Sequence, residues 1–234
     1  MNMGHDPAWT LDQSLSIGPQ LHRILRERIV RNDLPPGSKI SESELAKSYA
    51  ISRQPVREAF IKLAEEGLIA IRPQRSTIVG CIDYDAVLDA RFVREAIEAD
   101  IVKLLAAQQD TALIKELRAQ LDQQTETAKT APLLFIQLDE KFHRTLAEAA
   151  NKAKAWQFIE GLKSQMDRVR FLSFSHFPIE TLIAQHTRIV DQIEAGDVDQ
   201  SEAAIRSHLR EILNTLPEIL SANPTYFVGR TDQN

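Results

Sequence analysis

The chain contains one cysteine, Cys81, and no long uninterrupted run of apolar residues. A single cysteine excludes an intrachain disulfide framework and is typical of a protein kept in the reducing cytoplasm. No stretch approaches the roughly 20 consecutive apolar residues that a membrane helix needs, and the N-terminus lacks the apolar core of a secretory signal. Glycine and proline are modest, at 8 and 10 of 234 residues, which excludes collagen-like and low-complexity chains. No membrane association is therefore expected. The 43% of apolar residues is enough to form the cores of two compact domains.

Charge is divided unevenly along the chain, although the overall formal charge is −5. Residues 1–80 have 11 basic and 9 acidic side chains, whereas residues 81–234 have 17 and 24. A slightly basic segment ahead of an acidic one is what a nucleic-acid-binding domain joined to an acidic partner domain would show. The asymmetry is small, and it supports this interpretation only together with the motifs that follow.

Residues 16–80 have the order of elements of a winged helix-turn-helix. Residues 1–15 show no helical or strand period and are expected to form a flexible tail. A first helical stripe ends at Leu34-Pro35-Pro36-Gly37, because proline cannot continue a helix. Ser41 opens a short second helix, and Glu44 completes a capping box with it. These signals predict two helices ahead of the segment that carries the basic residues.

The third helix presents basic side chains on one side. Ser52 is placed to cap it, and its apolar positions form an inward-facing arc: Val56, Ala59, Phe60 and Leu63. A hairpin over residues 69–79 would follow as the wing. Arginine suits phosphate oxygens and the guanine edge, and glutamine suits adenine or phosphate. The candidate DNA contacts are therefore Arg53, Gln54 and Arg57 on the helix and Arg72 and Arg75 on the wing. The alternative is a solvated basic helix face, but the complete ordered set of elements favours DNA binding.

From about Asp83 the sequence is helical throughout. Apolar stripes of helical period mark six segments, at about 84–108, 111–129, 132–149, 152–172, 178–195 and 199–216. These helices are predicted to form an antiparallel bundle across residues 81–220, followed by a tail at 221–234. The predicted fold class is mainly α, with an N-terminal winged helix-turn-helix and a C-terminal all-α helical bundle.

Three histidines and one aspartate are predicted to face the bundle interior. Asp139 and His143 are four residues apart and leave the same helix face, while His186 and His208 lie on the apolar faces of the fifth and sixth helices. Burying these groups unpaired would be costly, and one divalent cation satisfies all four. The set suits zinc, nickel, manganese or iron(II), with about two positions left for water or a ligand in an octahedral site. The alternative is that each histidine is a hydrogen-bonded core residue.

The N-terminal motifs resemble the winged-helix domain of GntR-type bacterial transcription regulators. The resemblance rests on Leu34-Pro35-Pro36-Gly37, Glu44-Leu45-Ala46, Ser52-Arg53-Gln54-Pro55-Val56-Arg57-Glu58-Ala59 and Leu63-Ala64-Glu65-Glu66-Gly67-Leu68. It implies that Arg53 and Arg57 contact operator DNA. Two positions depart from the family pattern: Ser43 replaces an arginine that often contacts DNA, and Gln74 replaces the usual wing-tip glycine.

The region from about residue 83 to 220 resembles the FCD effector domain of the FadR-like branch of this family. The matching motifs are Asp139-Glu140-Lys141-Phe142-His143, Ala149-Ala150-Asn151, Gln185-His186-Thr187-Arg188-Ile189, Gly196-Asp197 and His208-Leu209. The resemblance implies that Asp139, His143, His186 and His208 bind a divalent metal that helps to bind a small organic acid. Six bundle helices rather than seven indicate the VanR-like subgroup.

Two arginines are candidates for binding the carboxylate of the effector. Arg94, with Glu98 one turn later, resembles the family's R-x-x-x-E pattern and would clamp the carboxylate. An exposed ion pair within the helix is the alternative for this pair. Arg168 is the second candidate.

The leading hypothesis is a homodimeric, ligand-responsive regulator of transcription. Its bundle would bind a metal and a small carboxylate and would set the spacing of two winged helices on a palindromic operator in double-stranded DNA. One alternative is a metalloenzyme that activates water, although no further residue is placed as a general base. A di-iron centre is excluded, because it needs two Glu-x-x-His pairs and the sequence has only Glu140–His143. The other alternative is an architectural DNA binder without a small ligand.

Overall fold

The structure is a computed structural model that describes residues 9–71, 76–172 and 179–229. The winged-helix region contains helices α1 (Ile17–Val30), α2 (Glu42–Ser48) and α3 (Arg53–Glu65) and strands β1 (Lys39–Ile40), β2 (Ile69–Ile71) and β3 (Thr77–Val79). Strand β4 (Ile82–Asp83) is followed by α4 (Tyr84–Gln108), α5 (Thr111–Thr130), α6 (Pro132–Ala149), α7 (Ala153–Leu162), α8 (Ser164–Leu172), α9 (Ile179–Ala195), α10 (Val198–Leu209) and α11 (Glu211–Ala222). A short 3-10 helix (Pro224–Tyr226) and strand β5 (Phe227–Val228) end the described part of the chain.

The winged-helix region forms the core that the sequence predicts. The apolar stripe of α1 and the inward arc of α3 are buried together with the start of the sheet. Ser41 caps α2 by accepting a hydrogen bond from the backbone N–H of Glu44. Ser52 occupies the N-cap position of α3, but its side chain makes no capping hydrogen bond, so this detail of the prediction was wrong.

The predicted hairpin is present as part of a small antiparallel sheet. Ile69 pairs with Val79 and Ile71 pairs with Thr77. The strand order is β1-β3-β2. Strand β1 has only two residues, too few to produce an alternating pattern, so the sequence did not predict it.

Helices α4, α5, α6, α7, α9 and α10 share a second apolar core. One buried cluster contains side chains from six helices, among them Val102, Leu117, Phe142, Trp156, Ile189 and Ile205. None of the described helices is both long and apolar enough to cross a bilayer. The longest, α4, has 25 residues and buries Arg94, Glu95 and Glu98 among its apolar positions.

The described residues form two compact units that are not consecutive in sequence. The first unit contains residues 9–71, 76–86, 164–172 and 220–229, and the second contains residues 87–163 and 179–219. Helix α8 therefore belongs to the unit with the winged helix, where Gln165 Nε2 donates to the Gly67 carbonyl at 3.2 Å. Strand β5 belongs there as well, because Ile82 and Phe227 pair in a parallel ladder.

The prediction of six helices after residue 83 was wrong, because two of the predicted segments are each divided. Residues 152–172 form α7 and α8 with a break at Lys163, and the last predicted segment forms α10 and α11 with a break at Arg210. Neither lysine nor arginine interrupts the helical period of a sequence, so neither break was visible. The bundle of six helices that indicated the VanR-like subgroup is thus not observed. The predicted loose C-terminal residues also contain the end of α11, the 3-10 helix and strand β5.

Candidate metal centre and nucleic-acid interface

Helix α3 presents Arg53, Gln54 and Arg57 on its exposed side, as the sequence predicts. Gln54 Nε2 donates to Glu58 at 3.0 Å. Arg57 Nη2 lies 3.7 Å from Glu42 Oε2, and the arginine side chain is 64% exposed. Exposed pairs of this kind contribute little to stability, so a phosphate oxygen can replace these partners at small cost. The three side chains are therefore available to a polyanion.

The predicted wing contacts lie between strands β2 and β3. Strands β2 and β3 lead towards Arg72, Gln74 and Arg75, but these three residues lie outside the described part of the chain. Ser43 is exposed on α2, and its hydroxyl lies 2.9 Å from that of Ser41. The predicted wing contacts consequently remain predictions.

The four predicted metal ligands converge in the second unit. Asp139, His143, His186 and His208 are all buried, and their ligand atoms lie within 4.8 Å of one another. His208 Nε2 lies 3.1 Å from His143 Nε2 and 3.2 Å from His186 Nε2. Asp139 Oδ1 lies 3.4 Å from His186 Nε2 and 3.9 Å from His143 Nε2. Each imidazole thus directs the same ring nitrogen to one point.

The other ring nitrogen of each histidine has a hydrogen-bond partner. The Nδ1 atoms lie 2.5 Å from a Glu98 oxygen for His143, 2.8 Å from Gln124 Oε1 for His186 and 2.9 Å from Gln185 Oε1 for His208. Because all three partners are oxygen acceptors, Nδ1 carries the proton of the neutral ring in each case. The three Nε2 lone pairs are therefore left facing one another and the carboxylate.

The orientation of the two glutamine amides is itself fixed by the surrounding structure. Gln185 Nε2 donates to Glu211 Oε2 at 2.9 Å, so its oxygen is the atom that faces His208. Gln124 Nε2 lies 3.5 Å from the Leu138 carbonyl, which leaves its oxygen for His186. A chain of oriented hydrogen bonds thus selects the tautomer of both rings.

Burial also keeps the ring nitrogens in their metal-binding form. It lowers the pKa of His143 to about 4, although the nearby carboxylate of Glu98 opposes the shift. Burial and the two neighbouring rings lower the pKa of His208 well below its ordinary range. The pKa of Glu98 falls to about 2 because Arg94 and His143 outweigh the effect of its burial. Near neutral pH His143 and His208 are therefore neutral beside the ionised carboxylate of Glu98.

These distances fit a divalent cation. With metal–nitrogen bonds of about 2.1 Å, adjacent nitrogens of an octahedral site lie about 3.0 Å apart, and those of a tetrahedral site about 3.4 Å apart. The observed Nε2 separations of 3.1 and 3.2 Å fall between these values. Three lone pairs facing one another at such distances repel, and a cation at their centre removes the repulsion. The donor set therefore supports a metal centre over three independent core histidines.

Arg94 lies next to this centre. Its side chain is 3% exposed, and its Nε donates to Glu98 Oε1 at 2.5 Å. The alternative of an exposed ion pair within the helix is therefore wrong, because both partners are buried. The other oxygen of Glu98 bonds to His143, so the candidate clamp and a candidate metal ligand share one carboxylate.

Arg168 is not among the groups that the structure brings together at the centre. It belongs to the first unit and is fully buried there, and its Nη2 donates to the Gly80 carbonyl at 2.8 Å. Its own carbonyl accepts from Asn32 Nδ2 at 3.1 Å. Burial lowers the pKa of this guanidinium to about 10. Since its hydrogen bonds link α8 to the winged helix, its assignment to effector binding is not retained.

The sequence interpretation missed the two glutamines that orient the rings. Gln124 is fully buried, and it continues the apolar stripe of α5 three residues after Leu121. A polar residue at an apolar position of a helical stripe was the signal that could have identified it. Gln185 immediately precedes His186 and is only partly buried, so the sequence offered no comparable signal for it.

Three helices with a short hairpin, joined to a helical unit with a histidine and carboxylate cluster, define a winged-helix protein with an all-helical second domain. The family model of bacterial regulatory proteins of the gntR family matches residues 19–79, and the FCD domain model matches residues 89–211. The chain therefore belongs to the GntR family and has an FCD domain. It is a DNA-binding transcriptional regulator and not an enzyme.

Relatives agree with this assignment, and solved structures share the fold. The HTH-type transcriptional repressor RspR of Escherichia coli is 39% identical over 219 residues, which are 93% of this chain and 96% of the relative. An HTH-type transcriptional regulator from Streptomyces ambofaciens is 36% identical over 87% of this chain and 86% of its own length. The E. coli McbR/YncC structure shares the fold, with a TM-score of 0.73 at 17% identity over 87% of this chain and 98% of that one. A GntR regulator from Rhodococcus sp. RHA1 aligns with a TM-score of 0.71 at 23% identity over 89% and 99% of the two chains.

Proposed function

We propose that this protein is a homodimeric transcriptional regulator that binds a divalent metal and a small carboxylate in its FCD domain. The observation that carries the proposal is the convergence of three Nε2 atoms and the Asp139 carboxylate, with each Nδ1 atom held by an acceptor. Asp139, His143, His186 and His208 would hold the metal. When bound, the metal would supply a Lewis-acidic site with about two positions for the effector or water.

Arg94 would receive the effector carboxylate beside the metal. Within the described part of the chain its guanidinium hydrogen bonds through Nε, which leaves Nη1 and Nη2 for a planar carboxylate. The rings of Phe142 and Trp156 face the histidines, with centroids 4.4 Å from His186 and 6.4 Å from His143. Such apolar surroundings would strengthen the contacts between charges at the site.

The winged helix would read a palindromic operator on the bacterial chromosome, in the cytoplasm. A dimer places two copies of α3 in successive turns of the major groove, where Arg53, Gln54 and Arg57 would contact bases and phosphates. RspR and a relative from Paenarthrobacter nicotinovorans are both named as repressors. We therefore propose that the protein represses transcription and that the effector changes its affinity for DNA.

Binding of DNA is tested on a duplex that the wild-type protein enriches from a random pool. The variant Arg53→Ala/Arg57→Ala should bind it about 100-fold more weakly at physiological salt, and its affinity should depend less steeply on salt concentration. Lys62→Ala is the control, because it removes an exposed basic residue from the last turn of the same helix. Unchanged affinity of the double variant would contradict the proposed role of α3.

Binding of the metal is tested by adding Zn²⁺ to chelator-treated protein and following the melting temperature. Zinc should stabilise the protein, and His208→Ala should abolish the effect. A panel of small carboxylates is then added to the zinc-loaded and metal-free protein. Stabilisation by a carboxylate in the loaded protein alone is the expected result. Equal stabilisation of both forms would contradict a metal-assisted effector site.

A further inference from the structure

Glu98 occupies a position between the metal ligands and Arg94. Its side chain is 2% exposed, and each of its two carboxylate oxygens has a different partner. One oxygen lies 2.5 Å from His143 Nδ1, and the other accepts from Arg94 Nε at 2.5 Å. One buried side chain therefore fixes the orientation of a metal ligand and of the effector clamp together.

The partner of His143 differs in charge from the partners of the other two rings. Gln124 and Gln185 present neutral amide oxygens to His186 and His208. An anionic acceptor makes the opposite ring nitrogen a stronger donor to a metal than a neutral acceptor does. His143 is thus the ligand whose metal affinity depends on a charge, and Glu98 supplies that charge.

The charge of Glu98 is also needed to balance Arg94. A divalent metal with the Asp139 carboxylate and three neutral imidazoles has a net charge of +1, and the Glu98–Arg94 pair adds nothing to it. Without the Glu98 charge, the buried guanidinium would act on the metal uncompensated. Two like charges at this depth repel strongly, so the metal would bind more weakly.

We propose that Glu98 is a positioning residue that couples metal binding at His143 to the state of Arg94, which deepens the proposed function and rests on it. An effector carboxylate bound at Nη1 and Nη2 of Arg94 offsets part of the guanidinium charge that Glu98 otherwise balances. More of the Glu98 charge then acts on His143, and the metal is held more tightly. Because coupling between two ligands is reciprocal, the metal tightens effector binding by the same factor.

The first test measures Zn²⁺ affinity by competition with a chromophoric chelator. Glu98→Gln keeps an acceptor for His143 and removes the charge, and it should weaken zinc binding roughly 10- to 100-fold. The matched control is Glu95→Gln on the same helix, because Glu95 is equally buried and is paired with Arg91, Arg206 and Arg210 instead. It should bind zinc within about threefold of wild type.

Glu98→Gln leaves Arg94 buried without its partner and can fail to fold for that reason. A second pair of variants covers this case. Arg94→Gln and Arg94→Gln/Glu98→Gln differ only in the Glu98 charge and contain no unpaired arginine. Arg94→Gln should bind zinc more tightly than wild type, and the double variant should lose at least about tenfold of that affinity. Equal affinities of these two variants would overturn the proposal.

A spectroscopic measurement separates tuning of the ligand from a merely structural role. Co²⁺ replaces Zn²⁺, and its visible absorption reports the ligand field at the metal. The bands should shift in Glu98→Gln and stay unchanged in Glu95→Gln. An unshifted spectrum in Glu98→Gln would contradict tuning of His143 by Glu98.

The outcomes also distinguish this proposal from the proposed function. Wild-type protein that binds neither Zn²⁺ nor Co²⁺ would refute the metal centre itself. Wild-type protein that binds zinc, with Glu98→Gln within about threefold of it, would refute only the coupling.

Discussion

The unfolding free energy of the metal-free protein should fall as the solution is acidified from pH 7 to pH 5. Burial lowers the pKa of His143 to about 4, whereas the unfolded chain has an ordinary value of 6.5. Between these values the unfolded state binds a proton that the folded state does not bind. The contribution of His143 to stability is therefore fully present above pH 6.5 and is lost progressively as the pH falls towards 4.

The size of this effect follows from the shift in pKa. One pH unit in the window corresponds to about 1.4 kcal/mol for a single group, so acidification to pH 5 should cost about 2 kcal/mol. His208 acts in the same direction, because burial also lowers its pKa. Glu98, with a pKa of about 2, stays ionised in the folded protein over this range and adds little. The value for His143 alone is thus a lower bound.

The assay uses urea unfolding followed by the fluorescence of Trp156, which is buried beside His143 with nearly parallel rings. The second tryptophan is removed by Trp9→Phe, so that the signal reports the second unit. The variant His143→Gln has no ionisable ring and should lose about 2 kcal/mol of the pH dependence. A metal-free protein that is equally stable at pH 7 and pH 5, or a His143→Gln variant with the parent's pH dependence, would refute the reasoning.

Three further predictions concern stability and are measured by urea unfolding. Phe60→Ala removes a ring that is 1% exposed in the winged-helix core and should cost about 3–5 kcal/mol, so a loss below about 1 kcal/mol would contradict the packing. Gly67→Ala should cost about 1–2 kcal/mol, because the residue has a φ of 69° that an L side chain adopts only with strain. Gly161→Ala is the control for that substitution, since it lies in α7 with open space around it and should be neutral or slightly stabilising. Phe227→Ala removes a buried ring from β5 and should cost about 3 kcal/mol, whereas an unstructured C-terminal tail would show no effect.

The sequence predicted those features that depend on residues close together in the chain. The inward arc of α3 follows from helical periodicity, and Asp139 and His143 share a face because they are four residues apart. Glu98, Gln124 and Gln185 were not predicted as partners of the rings, because each comes from a different helix and meets its histidine only in the folded unit. The breaks at Lys163 and Arg210 were missed as well. Lysine and arginine both favour helix, so the residues at these breaks give no sign of them in the sequence.

The placement of α8 and β5 has a topological consequence. The chain passes between the two units four times, between residues 86 and 87, 163 and 164, 172 and 179, and 219 and 220. The DNA-reading unit is therefore assembled from three separate stretches of sequence, and a single cut would not release it intact. A chimaera that grafts residues 1–86 onto another effector domain would transfer the recognition helix and Ile82. It would lack Arg168, which bonds to the Gly80 carbonyl, and strand β5, which pairs with Ile82. The part of this protein that can be exchanged is consequently the second unit, residues 87–163 and 179–219. Helix α8 would stay with the winged-helix unit.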